Sequence, residues 1–492
     1  MTLTLHPYQV RGVEWLRATT AAHGAALLAD DMGCGKSPQF IVAPPPEAPV
    51  IVVVPAALKS QTAERIVAWR GTGTRVSVLD GLGSWRAPGA GEWIVLNPEL
   101  LPAAPAERER AEREIAEADD SDMLDFARHE RAKKARAKLA RILAIGVIDR
   151  DAIAPGTWLV VDEADEFNTH ATTQTTRLRT LVAAVLRRKG RVVAATATPL
   201  RNQPSDLRAL LATFRLGGVA WPAKKGRALD YWSFMRDWGG SKGHFGEEWQ
   251  GDPRDGAIAT CLRRVMLRRM FRDVVAIPPM LPTTRVRVDI DAGVRDLADH
   301  ADEMLRARSR DVAAGEKIVF ETCSRVRAAL AVAKLPAAHA WCAAQESAGE
   351  PAVVACVSAD VVRDIARRDG WGRIAGADSA ESRAETVRRF LRGDLRGVAI
   401  THAAGGVGID LYRAARILLV SREWNPARNR QTLARVLRQG QTRRVGLTLL
   451  DADHPIEARL DELLVGRKRY MAAIDAAADN SGIPLAGPPV GA

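Results

Sequence analysis

No run in this chain approaches the roughly 20 apolar residues needed to cross a bilayer, and no membrane partner is expected. The five cysteines (Cys34, Cys261, Cys323, Cys342, Cys356) are scattered without paired metal-ligand spacing, so neither a disulfide framework nor a zinc site is indicated. The opening Met1-Thr2-Leu3-Thr4-Leu5-His6-Pro7-Tyr8 lacks the basic and apolar regions of a secretion signal, which leaves the cytoplasm as the expected location. Internal repeats are missing too, as is any nuclease, glycosylase or metal-finger constellation.

What is present is length and positive charge. At 492 residues the chain is too long for one core and predicts two or three domains. An apolar share of 47% and a charged share of 26% are ordinary for a soluble globular protein. Lys plus Arg number 71 against 59 for Asp plus Glu, a net +12 that suits a polyanionic partner, most commonly nucleic acid. A coding bias toward Ala and Arg would give the same excess, so composition alone does not decide the partner.

The first half alternates β-branched runs with amphipathic stretches. Ala25–Ala29, Val50–Val54, Trp93–Leu96, Trp158–Val161 and Val192–Ala195 each predict a buried strand of a parallel α/β fold. Residues 104–143, rich in Glu, Arg and Ala, predict one or two long helices broken near Asp119-Asp120-Ser121-Asp122, with Ser121 able to cap the second. This stretch reads as a solvated insertion, with a binding surface as the alternative. From Gly217 to Pro282 aromatic residues sit among Gly-rich turns, followed by the basic amphipathic run Leu262–Arg272. Strands resume at Thr284–Ile290 and recur at Ala352–Val357, Gly397–Thr401, Ile417–Ser421 and Gly446–Leu450, after a helical stretch over 294–347. The tail 482–492 predicts disorder. The expectation is two α/β lobes, each a mostly parallel sheet flanked by helices, with a helical insertion between them. The boundaries are 1–216, 217–283 and 284–480, with 481–492 as the tail.

Ala29-Asp30-Asp31-Met32-Gly33-Cys34-Gly35-Lys36-Ser37 follows the first strand. The glycines let backbone N–H groups close on phosphate oxygens, Lys36 reaches the β- and γ-phosphates, and the Ser37 hydroxyl holds Mg²⁺. The usual loop opens with glycine, and here that position is Asp30. Val160-Val161-Asp162-Glu163-Ala164-Asp165 ends a later strand, with Asp162 placed for the Mg²⁺ shell and Glu163 for the attacking water. Thr196-Ala197-Thr198-Pro199 ends the next strand, where short hydroxyls can sense the γ-phosphate. In the second half, Gly405-Gly406-Val407-Gly408-Ile409-Asp410 permits close backbone approach, and Arg435 and Arg438 lie three apart on one helical face. Arginines there can stabilise transition-state charge, worth ~10³–10⁵ in rate in other NTPases.

Together these segments resemble a superfamily II helicase motor, and specifically the Swi/Snf-type branch of double-stranded DNA translocases in a minimal bacterial or bacteriophage form. Leu5-His6-Pro7-Tyr8-Gln9-Val10-Arg11-Gly12 is similar to that family's adenine-reading segment, which implies that Gln9 reads the adenine edge. Val52-Val53-Val54-Pro55 with Leu58-Lys59-Ser60-Gln61 resembles its first DNA-contacting segment. Met266-Leu267-Arg268-Arg269 with Leu281-Pro282, and Arg435 to Gln441, match later motifs of the family. Asp165 departs from it: Asp-Glu-Ala-Asp is the spelling of RNA helicases.

The resemblance implies two RecA-like lobes and an ATP hydrolase using ATP and Mg²⁺ that translocates on double-stranded DNA in replication, recombination or repair. Single-stranded DNA or RNA is the less expected substrate, and a monomer is expected. A strand-separating DNA or RNA helicase and a nucleotide-dependent DNA-binding scaffold are the alternatives. It further implies that Asp31, Met32, Gly33, Cys34, Gly35, Gly408 and Asp410 line the nucleotide, with Gln431 joining Thr196 and Thr198 in coupling. Lys59, Ser60, Gln61, Thr401 and His402 are the candidate DNA contacts. Arg263, Arg264, Arg268, Arg269 and Arg272 form either a basic seam for DNA or a packing brace.

Overall fold

The computed structural model describes residues 3–119, 125–149, 151–169, 172–224, 228–243, 246–307, 316–405, 409–423 and 425–478. Ser121 and the tail 482–492, on which two expectations rest, lie outside them. The chain divides into two compact units. Among the described residues, the first comprises 3–239, 253–270 and 473–478; the second comprises 240–252 and 271–472.

The first unit is built on seven strands: β1 (Ala25–Leu28), β2 (Val50–Val53), β3 (Arg75–Val78), β4 (Glu92–Leu96), β5 (Trp158–Asp162), β6 (Arg191–Ala195) and a late strand at Met266–Leu267. They pair in the order β3-β4-β2-β5-β6-β1 with the late strand beside β1, and every pairing is parallel. In a parallel sheet all carboxyl ends share one edge, where ligands bind. The apolar runs of the inner strands are buried on both faces, as helix-covered parallel strands require. Around them run helices α1 (Pro7–His23), α2 (Lys36–Val42), α3 (Lys59–Arg70), α4 (Pro105–Asp119), α5 (Asp125–Ile145) and α6 (Thr173–Arg187). Proline opens α1 in its first turn, and Gly24 closes it in the left-handed conformation at φ 80°.

Three of the aromatic residues after Gly217 are structural, while Trp232 is exposed. Trp221, Phe234 and Trp238 are buried against one another, and the Trp221 indole donates to the Asp237 carboxylate at 3.0 Å. A two-stranded antiparallel ribbon, Gly240–Gly243 with Gly246–Trp249, belongs to the second unit.

That unit holds a second parallel sheet of six strands, with the spatial order Thr284–Val288, Gly446–Ala452, Arg416–Leu419, Ala352–Cys356, Gly397–Thr401 and Trp371–Ile374. All its pairings are parallel as well. Two parallel α/β sheets, each in its own unit, are the RecA-like layout that the resemblance implies. Within the helical stretch expected over 294–347, helices occupy Ala292–Ala307, Glu316–Ala333 and Leu335–Ser347.

Candidate active site

The cradle forms where β1 delivers the chain to α2. Gly33 and Gly35 take positive φ, 85° and 68°, so the loop turns where a side chain would strain it. A Cβ on Gly35 would also lie 2.4 Å from Gln9 Nε2. Lys36 Nζ donates to the carbonyl oxygens of Asp30 (3.0 Å) and Asp31 (3.4 Å), which holds its ammonium over the loop. Cys34 is buried, and burial pushes its thiol well above the ordinary range, which leaves it an inert packing group. The Cys34 carbonyl accepts from the Tyr8 hydroxyl (3.0 Å) and from Gln9 Nε2 (3.2 Å). Gln9 Oε1 in turn accepts from the His6 N–H at 2.9 Å, so the residue expected to read adenine abuts the phosphate loop and steadies it. Asp31, Met32 and Ser37 are half-buried around the same turn.

Asp30, the departure from the usual opening glycine, is fully buried and paired. Arg269 donates to its two carboxylate oxygens, at 2.9 Å from Nε, and Gln39 Nε2 adds a third bond at 2.9 Å. The same guanidinium reaches Gln39 Oε1 (2.5 Å) and the Tyr8 carbonyl, and lies over the Tyr8 ring. Arg268 beside it donates to the carbonyls of Ala29 (2.7 Å) and Ala197 (3.3 Å) and to Asp475 (2.9 Å). Both arginines are buried inside the first unit, so this part of the proposed seam is a brace under the cradle and cannot touch a phosphate backbone. Arg263 likewise donates to the carbonyls of residues 476 to 478.

Asp162 ends β5 on the same sheet edge. Burial raises its pKa, while the charges of Lys36 and Arg65 and the Glu163 N–H (3.1 Å) pull it down. Lys36 and Asp162 are thus electrostatic neighbours. Glu163 sits at φ 50°, an unusual conformation for a side-chain-bearing residue and one that sharply turns the chain beyond the strand.

Asp165, two residues on, is a hub. Thr196 Oγ1 donates to one of its oxygens at 2.6 Å; Thr198 Oγ1 and Arg201 Nε donate to the other at 3.0 and 2.6 Å. The Asp-Glu-Ala-Asp segment and the Thr-Ala-Thr-Pro turn are therefore one hydrogen-bonded piece, with Asp165, Thr196 and Thr198 buried and Asp162 and Glu163 half-buried. Sequence reasoning placed Thr196 and Thr198 but missed Asp165 as their common acceptor, and missed Arg201 and Arg65. The available signal was the unexpected carboxylate at 165.

For Mg²⁺ the donor set is suitable: the Ser37 hydroxyl and the Asp162 carboxylate are hard oxygens beside the cradle. Among the described residues no group of three or more His, Cys, Asp or Glu could hold a metal unaided. An ion there needs phosphate oxygens and water to complete its shell, as Mg²⁺ commonly does.

The second-unit candidates divide. The expected helical face for Arg435 and Arg438 is corrected: the helix is Pro426–Leu433, and both arginines lie in the turns after it. The Arg435 carbonyl is taken by the Leu411 N–H at 2.8 Å, and Gly440 turns the chain at φ 98°. Arg435 is buried; Arg438 pairs with Asp410 at 2.7 Å and donates to the Ala434 carbonyl at 3.1 Å. Asp410 and Arg438 are thus brought together, Gln431 lies half-buried on the preceding helix, and Gly408 lies outside the described residues.

His402 is corrected as a DNA contact. It is 1% exposed, with its ring nitrogens bonded to Thr432 Oγ1 and the Ser421 carbonyl, both at 2.8 Å. Burial lowers its pKa, so it is a neutral internal strut. Thr401 is buried too. In the first unit, Ser60 is exposed and Gln61 half-buried at the start of α3, while Lys59 Nζ is held by the Leu79 carbonyl (2.9 Å) and Asp80.

The SNF2-related domain matches residues 8–293, more than half of the chain, and the helicase conserved C-terminal domain matches 337–440. The chain belongs to the SNF2-related family. Membership places it among superfamily II ATPases with helicase-like domains. An Arabidopsis thaliana protein, CHROMATIN REMODELING 24, is 30% identical over 104 residues, covering 20% of this chain and 10% of its own length. A DNA repair and recombination protein RAD54-like of Drosophila pseudoobscura pseudoobscura is 30% identical over 119 residues, 23% of this chain and 15% of that protein. The matched segments are thus a small part of these relatives' length. The Sulfolobus solfataricus SWI2/SNF2 ATPase core, solved in complex with dsDNA, aligns at 17% identity and a TM-score of 0.37, covering 98% of this chain and 94% of that one. Among the described residues no helix is long and apolar enough to cross a membrane.

Proposed function

We propose that the chain hydrolyses ATP to translocate along double-stranded DNA. One observation supports this most: a single sheet edge carries the Lys36–Ser37 cradle, Asp162–Glu163 and the Asp165–Thr196–Thr198 hub. In this reading Lys36 leaves the Asp30 and Asp31 carbonyls to take the β- and γ-phosphates, and the Arg269–Asp30 brace keeps the loop in place as it does so. Ser37 and Asp162 would hold Mg²⁺, which supplies neutralisation of phosphate charge. Glu163 orients the attacking water, and Arg435 and Arg438 are the transition-state cations.

The hub provides the coupling. A shift of the strand-end carboxylates on loss of the γ-phosphate moves Asp165, and with it Thr196, Thr198 and Arg201. Asn202 and Gln203, whose N–H groups are bonded to Asp206, carry that movement into the helix Pro204–Thr213. Ser60 and Gln61 meet the DNA through its phosphates, so binding falls steeply with salt and has little sequence preference. The name of the Drosophila relative favours DNA recombination or repair as the setting, while replication as a further setting and the cytoplasm as the place are kept from the sequence.

ATP turnover measured side by side with double-stranded DNA, single-stranded DNA and RNA tests this, together with displacement of a third strand from a triplex. The expected result is greatest stimulation by duplex DNA and triplex displacement without unwinding. Robust unwinding or a preference for RNA would indicate a strand-separating helicase; turnover indifferent to DNA, without displacement, would indicate a scaffold.

A further inference from the structure

Between β4 and β5 the chain inserts an antiparallel helical hairpin, α4 and α5, whose seam is mainly alanine: Ala111, Ala118, Ala132 and Ala135 are buried, with Ile142 nearer the root. The root is fixed to the sheet unit. Arg177 of α6 clasps both carboxylate oxygens of Glu107 at 3.0 to 3.1 Å and reaches the Leu101 carbonyl. The Ala103 N–H donates to the Gly146 carbonyl at 2.8 Å, and the Ile148 N–H to the Ala103 carbonyl at 2.9 Å.

The two flanks of the seam differ in charge. On one, Asp119 with Arg136 and Glu130 with Lys133 balance each other. On the other, an open cleft of about 690 Å³ is lined by Arg110, Arg113, Arg131, Lys134 and Lys138 against only Glu114 and Glu117. Glu114 is shared by Arg110 and Lys138, at 3.0 and 2.8 Å. Arg113 and Lys134 are exposed and have no ion pair with any carboxylate among the described residues. Like charges gathered this way oppose one another, and the alanine seam holds the hairpin together with the Glu114–Lys138 bridge across it. An external polyanion is the chemistry that relieves them.

Spacing and placement favour a nucleic-acid backbone. Arg131, Lys134 and Lys138 follow one stripe of α5, spanning about 10 Å at 1.5 Å per residue. Along a duplex axis that is about three base-pair steps of rise at 3.4 Å each. The hairpin leaves the sheet from the carboxyl end of β4, whose neighbour β2 leads at its own carboxyl end into Lys59–Gln61. It is therefore rooted on the edge that carries the nucleotide site.

We propose that this flank of the α4–α5 hairpin is a second contact for the phosphate backbone of duplex DNA, separate from the strand-end segments. The proposal rests on the duplex-DNA reading above. The test compares the wild-type chain with the triple variant Arg113→Glu/Arg131→Glu/Lys134→Glu and with the charge-keeping Arg113→Lys/Arg131→Lys, measuring duplex binding across a salt series and ATP turnover with and without DNA. The triple variant is expected to bind duplex DNA at least about tenfold more weakly, with a log–log salt slope lower by about 2–3, since each phosphate contact contributes about 0.9. Its thermal midpoint and DNA-free turnover should match wild type, and the lysine variant should bind as wild type does. Unchanged affinity and slope in the triple variant, with wild type still stimulated by duplex DNA, overturns the hairpin contact alone and leaves the flank to an acidic protein. Absence of any duplex effect on wild type overturns the duplex reading, and the hairpin contact with it.

Discussion

Two arginine-rich stretches of the first unit have opposite fates. Arg268 and Arg269 are buried, each spending its guanidinium on carboxylates and carbonyls around the cradle. Arg113, Arg131 and Lys134 of the hairpin stand exposed, with an excess of positive charge around them. A basic run in a sequence therefore does not mark a nucleic-acid surface by itself. What separates the two is whether the fold supplies an acceptor: Asp30 and a set of strand-end carbonyls meet Arg268 and Arg269, and no carboxylate among the described residues pairs with Arg113 or Lys134.

That contrast can be broken by substitution. Arg269→Ala leaves the Asp30 carboxylate buried without its main partner and should cost the first unit about 3–5 kcal/mol, as loss of one member of a buried pair does. A denaturation midpoint close to wild type would show that the brace is dispensable. Gly12→Ala probes the same network from the α1 side, because a Cβ there would lie 1.8 Å from Gln39 Oε1 and 2.8 Å from the Arg269 guanidinium. Forcing that contact should cost about 1–3 kcal/mol, measured by denaturant unfolding.

In the second unit His402 extends the comparison to a buried neutral group. Its folded pKa lies below the ordinary value near 6.5, so the unfolded chain binds the proton more readily. Stability should therefore be full above about pH 6.5 and fall as the pH drops below it. His402→Gln should flatten that part of the pH–stability curve; an unchanged slope would place the titration elsewhere. At the small end, Arg113→Ala on the exposed flank should change stability by no more than about 0.5 kcal/mol.

The inner strands were legible because burial on both faces leaves a continuous apolar run, as in Val50-Ile51-Val52-Val53. The strands that escaped were at sheet edges. Arg75–Val78 is exposed to half-buried, and Trp371–Ile374 carries Gly372, where a Cβ would crowd Thr386 and Leu395. Neither leaves an apolar signature. The late strand Met266–Leu267 was hidden for another reason: two residues beside four arginines look like a basic helix until Asp30 and the Ala29 carbonyl are placed.

In the candidate site, the residues of contiguous motifs could be named from the sequence, since Gly-Lys-Ser and Asp-Glu carry their chemistry in their spelling. The residues that tie motifs together were missed, since Asp165 with Arg201 and Asp30 with Arg269 meet only in three dimensions. His402 erred in the other direction. A polar residue at a strand end looks available, and only the fold revealed Thr432 and the Ser421 carbonyl as its partners.

The proposed motor depends first on the Gly33–Ser37 turn working as a triphosphate cradle. The most direct measurement is duplex-stimulated ATP turnover of Lys36→Ala, set beside its thermal midpoint and duplex binding. The expected result is a folded protein that still binds DNA and no longer turns over ATP. Turnover retained at the wild-type rate would contradict it.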